Sequence, residues 1–170
     1  KAHSTLSIDG QDSSNPNENR FAKLSNVEIG PAEGGLLAVA THDGYEPSHG
    51  ILHHRQLFLS TGGGNLRGAD ILEYTGAPGE IPRLAEVRFH LHPRVTAAML
   101  NDQRVLLKIQ GTRTGWVFRS NAATTLDKSL FFEGTSRMNC QQIVVSLALA
   151  DLRTIGNAEV KWAFMRSQVD

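Results

Sequence analysis

Short apolar runs, alternating with polar residues and cut by turn formers, set the rhythm of this chain. Leu6 and Ile8 alternate with Thr5, Ser7 and Asp9 before Gly10 breaks the run. That pattern predicts a strand with one apolar face, starting almost at the first residue. Such a start points to a domain cut from a longer polypeptide. Residues 9–19 are rich in Asp, Asn, Ser and Gly and read as a loop. From Phe21 to Ile29 the alternation slips, as in a bulged strand. Leu36 to Thr41 is an apolar run bounded by turn residues and predicts a buried strand; a polar loop from His42 to Gly50 follows it. Ile51 to Thr61 and Leu66 to Thr75 predict two strands joined by the turn Gly62-Gly63-Gly64-Asn65. Residues 76–82 read as another loop.

Further strands are predicted at Ala85 to His92, Val105 to Ile109, Trp116 to Arg119, Thr125 to Glu133, Gln141 to Ala150 and Glu159 to Met165. Val95 to Leu100 fits either a strand or one helical turn. No stretch has a persuasive helical period, and no repeat is present. About a dozen strands at intervals of roughly 8–12 residues argue for an all-β class, an antiparallel sandwich or barrel. The 170 residues fit one domain, spanning 1–170.

Composition narrows the function. The formal net charge is zero, which gives neither the basic footprint of a nucleic-acid partner nor a polybasic membrane signal. The apolar runs are too short to span a bilayer as helices. Cys140 is the single cysteine, so there is no internal disulfide and no thiolate zinc cluster. One free cysteine suits a cytosolic or a periplasmic protein equally.

The chain carries seven histidines. His90 and His92 fall on one strand face and could hold a metal if a third ligand approached; a polar face bonded to backbone or solvent explains them as well. His53 and Arg55 share one face, with His54 on the other, and an Arg can grip a carboxylate or sulfate by two parallel hydrogen bonds. Arg67 and Asp70 read as a structural ion pair. The sharpest local candidate is the loop His42-Asp43-Gly44-Tyr45, where a His and a Tyr could serve as base and proton carrier; a turn whose Tyr covers the sandwich edge is the alternative. No nucleophile elbow, phosphate loop, dinucleotide fingerprint or His-Glu-x-x-His motif is present.

Several segments together resemble one family. Ala2-His3-Ser4-Thr5-Leu6, followed by Ile8-Asp9-Gly10-Gln11-Asp12-Ser13-Ser14, is similar to the "AHNTV…DG…QS" segment of heparinase II/III-like polysaccharide lyases. His42 to Tyr45, Gly50 to Leu59, Leu66 to Asp70, Arg88 to Pro93, Gly115 to Arg119 and Gln142 to Val144 look like later segments of that family, in order. The resemblance implies that the chain is the C-terminal β-sandwich of a larger enzyme, preceded by an α-helical toroid of the same polypeptide. That enzyme would cleave acidic, uronic-acid-containing polysaccharide by β-elimination, in the periplasm or cell envelope. It implies that the toroid supplies most catalytic groups, and that His3 is one ligand of a zinc site whose other His and Asp ligands lie upstream. Ser4 stands where the family has Asn. Zinc would then belong to the parent protein and be held poorly by this chain, which by itself would be inactive. The candidate substrate-binding residues are His42, Tyr45, His49 and Arg55. The alternatives are a non-catalytic carbohydrate-binding module and a structural module that braces the toroid.

Overall fold

A computed structural model describes residues 3–76 and 82–168. Twelve strands run in chain order among the described residues: β1 (Leu6–Ile8), β2 (Leu24–Ala32), β3 (Gly35–Tyr45), β4 (Ile51–Ser60), β5 (Asn65–Tyr74), β6 (Leu84–His90), β7 (Val95–Met99), β8 (Val105–Ile109), β9 (Thr114–Ser120), β10 (Ala123–Glu133), β11 (Ser136–Ala148) and β12 (Asn157–Gln168). Single-turn helices α1 (Glu46–His49) and α2 (Leu152–Ile155) interrupt them. The strands form two antiparallel sheets, a small one in the order β1-β6-β11-β10 and a large one in the order β2-β3-β4-β5-β12-β9-β8-β7. The all-β sandwich read from the alternation is the observed architecture, and Val95 to Met99 is a strand. The loop expected across residues 76–82 lies mostly outside the described residues.

Alternation dictates what each sheet buries. The small sheet turns Leu6, Ile8, Ala85, Val87, Phe89, Ile143 and Val145 inward, and the large one answers with Leu72, Val105, Phe118, Val160 and Trp162. Phe89, Phe118, Trp162 and Phe164 form an aromatic knot with ring centroids 4.7–5.8 Å apart, where truncating one ring costs about 3–5 kcal/mol. Gly68 makes the knot possible. It lies opposite Trp162, and a Cβ there would collide with the indole.

Edge strand β2 carries exposed Leu24, Val27 and Ile29. Its register shifts between Ser25 and Glu28, with Asn26 at φ 49°. This is the bulge the slipped alternation predicted, and bulges blunt edge-to-edge pairing.

One segment departs from expectation. Residues 42–45 are not a loop: β3 runs through Tyr45, with a register shift against β4 between His42 and Tyr45. Gly44 fits there because any Cβ would strike Ser13 and Ala22. Residues 9–19 form the expected loop, and side-chain hydrogen bonds pin it. Arg20 Nη1 donates to Ser13 O (3.1 Å) and Gly44 O (2.8 Å), and Asp9 accepts from the backbone N–H groups of Arg83 and Leu84 at 3.0–3.1 Å.

Candidate functional site

The hairpin β4–β5 builds the center of the site. Arg55 lies directly opposite Asp70, on the face turned toward the small sheet. Asp70 is fully buried (0% exposed) and His53 nearly so (3%). A buried carboxylate is tolerated only when its lone pairs are filled, and here they are. Asp70 Oδ1 accepts from His53 Nε2 (2.7 Å) and Arg55 Nε (2.7 Å), and Oδ2 accepts from Trp162 Nε1 (2.9 Å). Burial alone would raise the Asp70 pKa. The His53 hydrogen bond and the Arg55 charge outweigh it and hold the carboxyl at about 2.

The network extends through a second imidazole. His42 Nε2 and His53 Nδ1 are 2.8 Å apart, and the Gly44 N–H donates to His42 Nδ1 at 3.2 Å. An Nδ1 that accepts must be bare, so neutral His42 carries its proton on Nε2 and donates it to His53 Nδ1. His53 in turn holds its proton on Nε2, facing Asp70. Burial, then the neighboring His53, lowers His42 to about 4, which keeps it neutral and keeps the chain of donors in one sense. The second hairpin face behaves separately: His54 Nδ1 bonds Thr41 Oγ1 and its Nε2 bonds Glu73, both at 2.8 Å.

These groups grip the segment that bears His3. Arg55 Nη1 donates to Ser4 O at 3.3 Å, and the Tyr45 hydroxyl donates to Leu6 O at 2.7 Å. Tyr45 is 1% exposed, and burial with nearby Asp12 pushes its pKa up. Of the residues read from sequence as ligand contacts, Tyr45 gives its hydroxyl proton to the Leu6 carbonyl, Arg55 gives Nε to Asp70 and Nη1 to the Ser4 carbonyl while its buried Nη2 has no partner among the described residues, and His42 bonds His53. The inward turn follows from β3 continuing past His42 where a projecting loop was expected. His49 sits apart, half-buried at the end of α1, with its pKa lowered by burial.

His3 itself is exposed. It lines a cleft of about 460 Å³ with Thr5, Ser7, Asp12, Ser13 and Arg88. Arg88 pairs with Glu86 at 2.7 Å, while its buried Nε has no partner among the described residues. His90 bonds Ser129 Oγ through Nδ1 (2.6 Å), and burial, followed by nearby positive charge that includes Arg88, lowers its pKa. His92 lies past the end of β6 and packs edge-on against Phe131, 4.8 Å between centroids. Among the described residues no three His, Cys, Asp or Glu side chains converge to hold a metal ion. The described residues therefore do not form a metal site by themselves; His3 offers one donor.

Asp70 was misassigned from sequence. Arg67 and Asp70, three apart on one strand, point to opposite faces, and the partners of Asp70 are His53, Arg55 and Trp162. The turn Gly62-Gly63-Gly64 held the signal, since counting outward from it sets Arg55 against Asp70. Trp162 arrives from a strand 92 residues on in sequence and left no local trace.

With this geometry in place, the comparisons are decisive about family. The model for the heparinase II/III-like C-terminal family matches residues 1–163, and the chain belongs to that family. The chain is 28% identical over 145 residues to "FtsZ-localized protein C" of Caulobacter vibrioides (strain NA1000 / CB15N), covering 79% of this chain and 24% of that protein. Among solved structures it superposes on heparan sulfate lyase HepC from Pedobacter heparinus with a TM-score of 0.70 at 14% identity, over 98% of this chain and 24% of that one. A heparinase III gene product gives the same TM-score, 0.70, and the same coverages, 98% and 24%, at 10% identity. At these identities the structural likeness concerns the fold. The chain spans about a quarter (24%) of the length of each of these proteins.

Proposed function

We propose that this chain is the sandwich portion of a polysaccharide lyase that cleaves uronic-acid-containing glycans by β-elimination. The family match over residues 1–163 carries the reading, and neighbors named as a heparan sulfate lyase and a heparinase support it. The cleft fits such a partner. Hydroxyls of Thr5 and Ser13 can meet sugar hydroxyls, and the unpartnered Nε of Arg88 can meet a carboxylate.

In β-elimination a base removes the C5 proton of the uronic acid. The freed electron pair forms the C4–C5 double bond, and the C4 oxygen leaves with its bonding pair and takes up a proton. The step needs the adjacent carboxylate neutralized and a proton carrier at hand. Arg88 and the His3 segment would form one wall of that site. The remaining catalytic groups would come from an upstream helical toroid. His3 would supply one ligand of a divalent ion, zinc in the family, completed by side chains outside these residues. The network from His42 to Asp70 then acts by position: through Arg55 it fixes the Ser4 carbonyl beside His3.

The test uses heparin, heparan sulfate and alginate as substrates, with unsaturated-uronate absorbance as the readout. The present chain should give none. The longer protein should give product on at least one of the three, and His3→Ala in it should lower both bound metal and rate by about tenfold or more. Turnover by this chain alone, or none by the longer protein on all three, overturns the reading.

A second reading rests on the curated relative, whose name records localization with FtsZ. Under it the sandwich binds or braces and does not cut. Glycan binding by the longer protein with no product on any substrate favors it.

A further inference from the structure

The outer face of the large sheet carries a second concave site. The register that turns Arg55, Asp70, Val160 and Trp162 inward turns Gln56, Arg67, Ala69, Lys161 and Ala163 outward. With Phe58 and Arg119 they line a groove of about 510 Å³. It shares no residue with the cleft at His3. It also lies on the opposite side of the sandwich, because Thr5, Ser7 and Arg88 alternate with the core-facing residues of the small sheet.

The groove is built for an anion with a flat body. Its floor is Gly68, Ala69 and Ala163, so a ring can lie close to the sheet. One wall is Phe58 with Arg67 opposite it, the guanidinium lying 4.5 Å from the ring centroid. That stacking holds Arg67 in place and leaves its N–H fork available. Ala163 has Arg67 as its neighbor on one side and Arg119 on the other, so the two guanidinium-bearing positions stand two strand spacings apart, about 10 Å. Arg119 is exposed. Lys161 is paired with Glu159 at 3.0 Å, and the lining contains three cations and no acid.

We propose that this groove binds a segment of acidic oligosaccharide. Arg67 and Arg119 each take a carboxylate or sulfate, a sugar ring spans the small-residue floor between them, and Gln56 meets a hydroxyl. The choice of a glycan among anions rests on the function proposed above; the groove itself does not. The chemistry disfavors nucleic acid. With zero formal net charge the chain lacks an overall basic footprint; the Phe58 ring is covered by Arg67 and Trp162 is only 5% exposed, leaving no open platform for bases. In a polysaccharide lyase such a groove would hold a long substrate on the far side of the sandwich and raise its concentration at the cleft.

The test is calorimetric titration of this chain with hexameric alginate and heparin-derived oligosaccharides. We expect binding that Arg67→Ala and Arg119→Ala each weaken about tenfold, and the double variant about a hundredfold. His3→Ala should leave it unchanged. Both arginines are exposed, and an unchanged urea midpoint confirms that each variant is folded. No binding by the parent chain, arginine variants that bind equally well, or polyphosphate and single-stranded DNA binding as tightly as the sugars, each overturns the proposal. None of these outcomes bears on lyase activity, which product formation by the longer protein decides.

Discussion

The two faces of the hairpin β4–β5 carry the same kinds of side chain and put them to opposite uses. On the inner face Arg55 meets Asp70, with His53 and Trp162 completing the acceptor set of that carboxylate. On the outer face, one residue along β4 and three back along β5, Gln56 and Arg67 line an open groove. The inner cation is neutralized by a buried carboxylate and holds backbone. The outer one has an aromatic ring beneath it and solvent in front. A charge paired with a buried carboxylate fixes geometry, whereas a charge left facing water is free to meet a ligand. The comparison yields four expectations, which fall in order of size.

Asp70→Ala should have the largest effect. It strands His53, Arg55 and the Trp162 N–H in the interior without their acceptor. Removing one partner of a buried pair costs about 3–5 kcal/mol, readable as a lowered urea midpoint. Asp70→Asn, which keeps the shape and one acceptor oxygen, should cost less. A loss below about 1 kcal/mol for Asp70→Ala would mean that the inner network is no more structural than a surface pair.

Acid should dismantle the same face in two stages. The Asp70 pKa is lowered from 3.8 to about 2, so its contribution is complete above 3.8 and is lost as pH falls toward 2. A depression of that size corresponds to about 2 kcal/mol. The His42 pKa is lowered from 6.5 to about 4. The unfolded chain therefore takes up that proton first, and stability also falls as pH drops from 6.5 to 4. Urea midpoints measured across this range should step down twice. Asp70→Ala should erase the lower step, while Arg119→Ala should leave both. A flat profile from pH 6.5 to 2 contradicts the assignment of charge states along the relay.

How much of this contrast could be read from the residues alone depends on the distance over which each contact acts. The strands, the bulge in β2 and the split of His53 and Arg55 from His54 follow from local alternation, because a pleated strand sorts its side chains by parity. The hairpin β4–β5 was legible through its glycine turn. Sheet order was not, since β12 enters between β5 and β9 and brings Trp162 to Asp70 from far along the chain. The loop expected at residues 42–45 was misread because Asp43 and Gly44 carry turn chemistry. The chain uses them instead for a register shift inside β3, where packing of Gly44 against Ser13 outweighs local preference. The outer groove was invisible for a related reason. Its arginines come from β5 and β9, strands joined only through β12, where Ala163 lies between them.

Tyr45→Phe probes a neutral staple beside the charged one. It deletes the hydroxyl that donates to Leu6 O and leaves a buried carbonyl short of a donor, a loss of about 1 kcal/mol. Hydrogen exchange at residues 5–8 should rise more than exchange at β10, since the released segment is β1. Uniform acceleration across the domain would show that Tyr45 supports the core as a whole.

Arg119→Ala should have the smallest effect on the fold, and it isolates the comparison most cleanly. The side chain is exposed and has no acid beside it in the groove lining. Surface replacements of that kind stay within about 0.5 kcal/mol. If its removal instead destabilizes the sandwich by as much as Tyr45→Phe does, the outer arginines are part of the scaffold and the two faces do not divide the labor. If stability holds while oligosaccharide affinity falls, one hairpin serves both purposes, and the parity of each residue along its strand decides which.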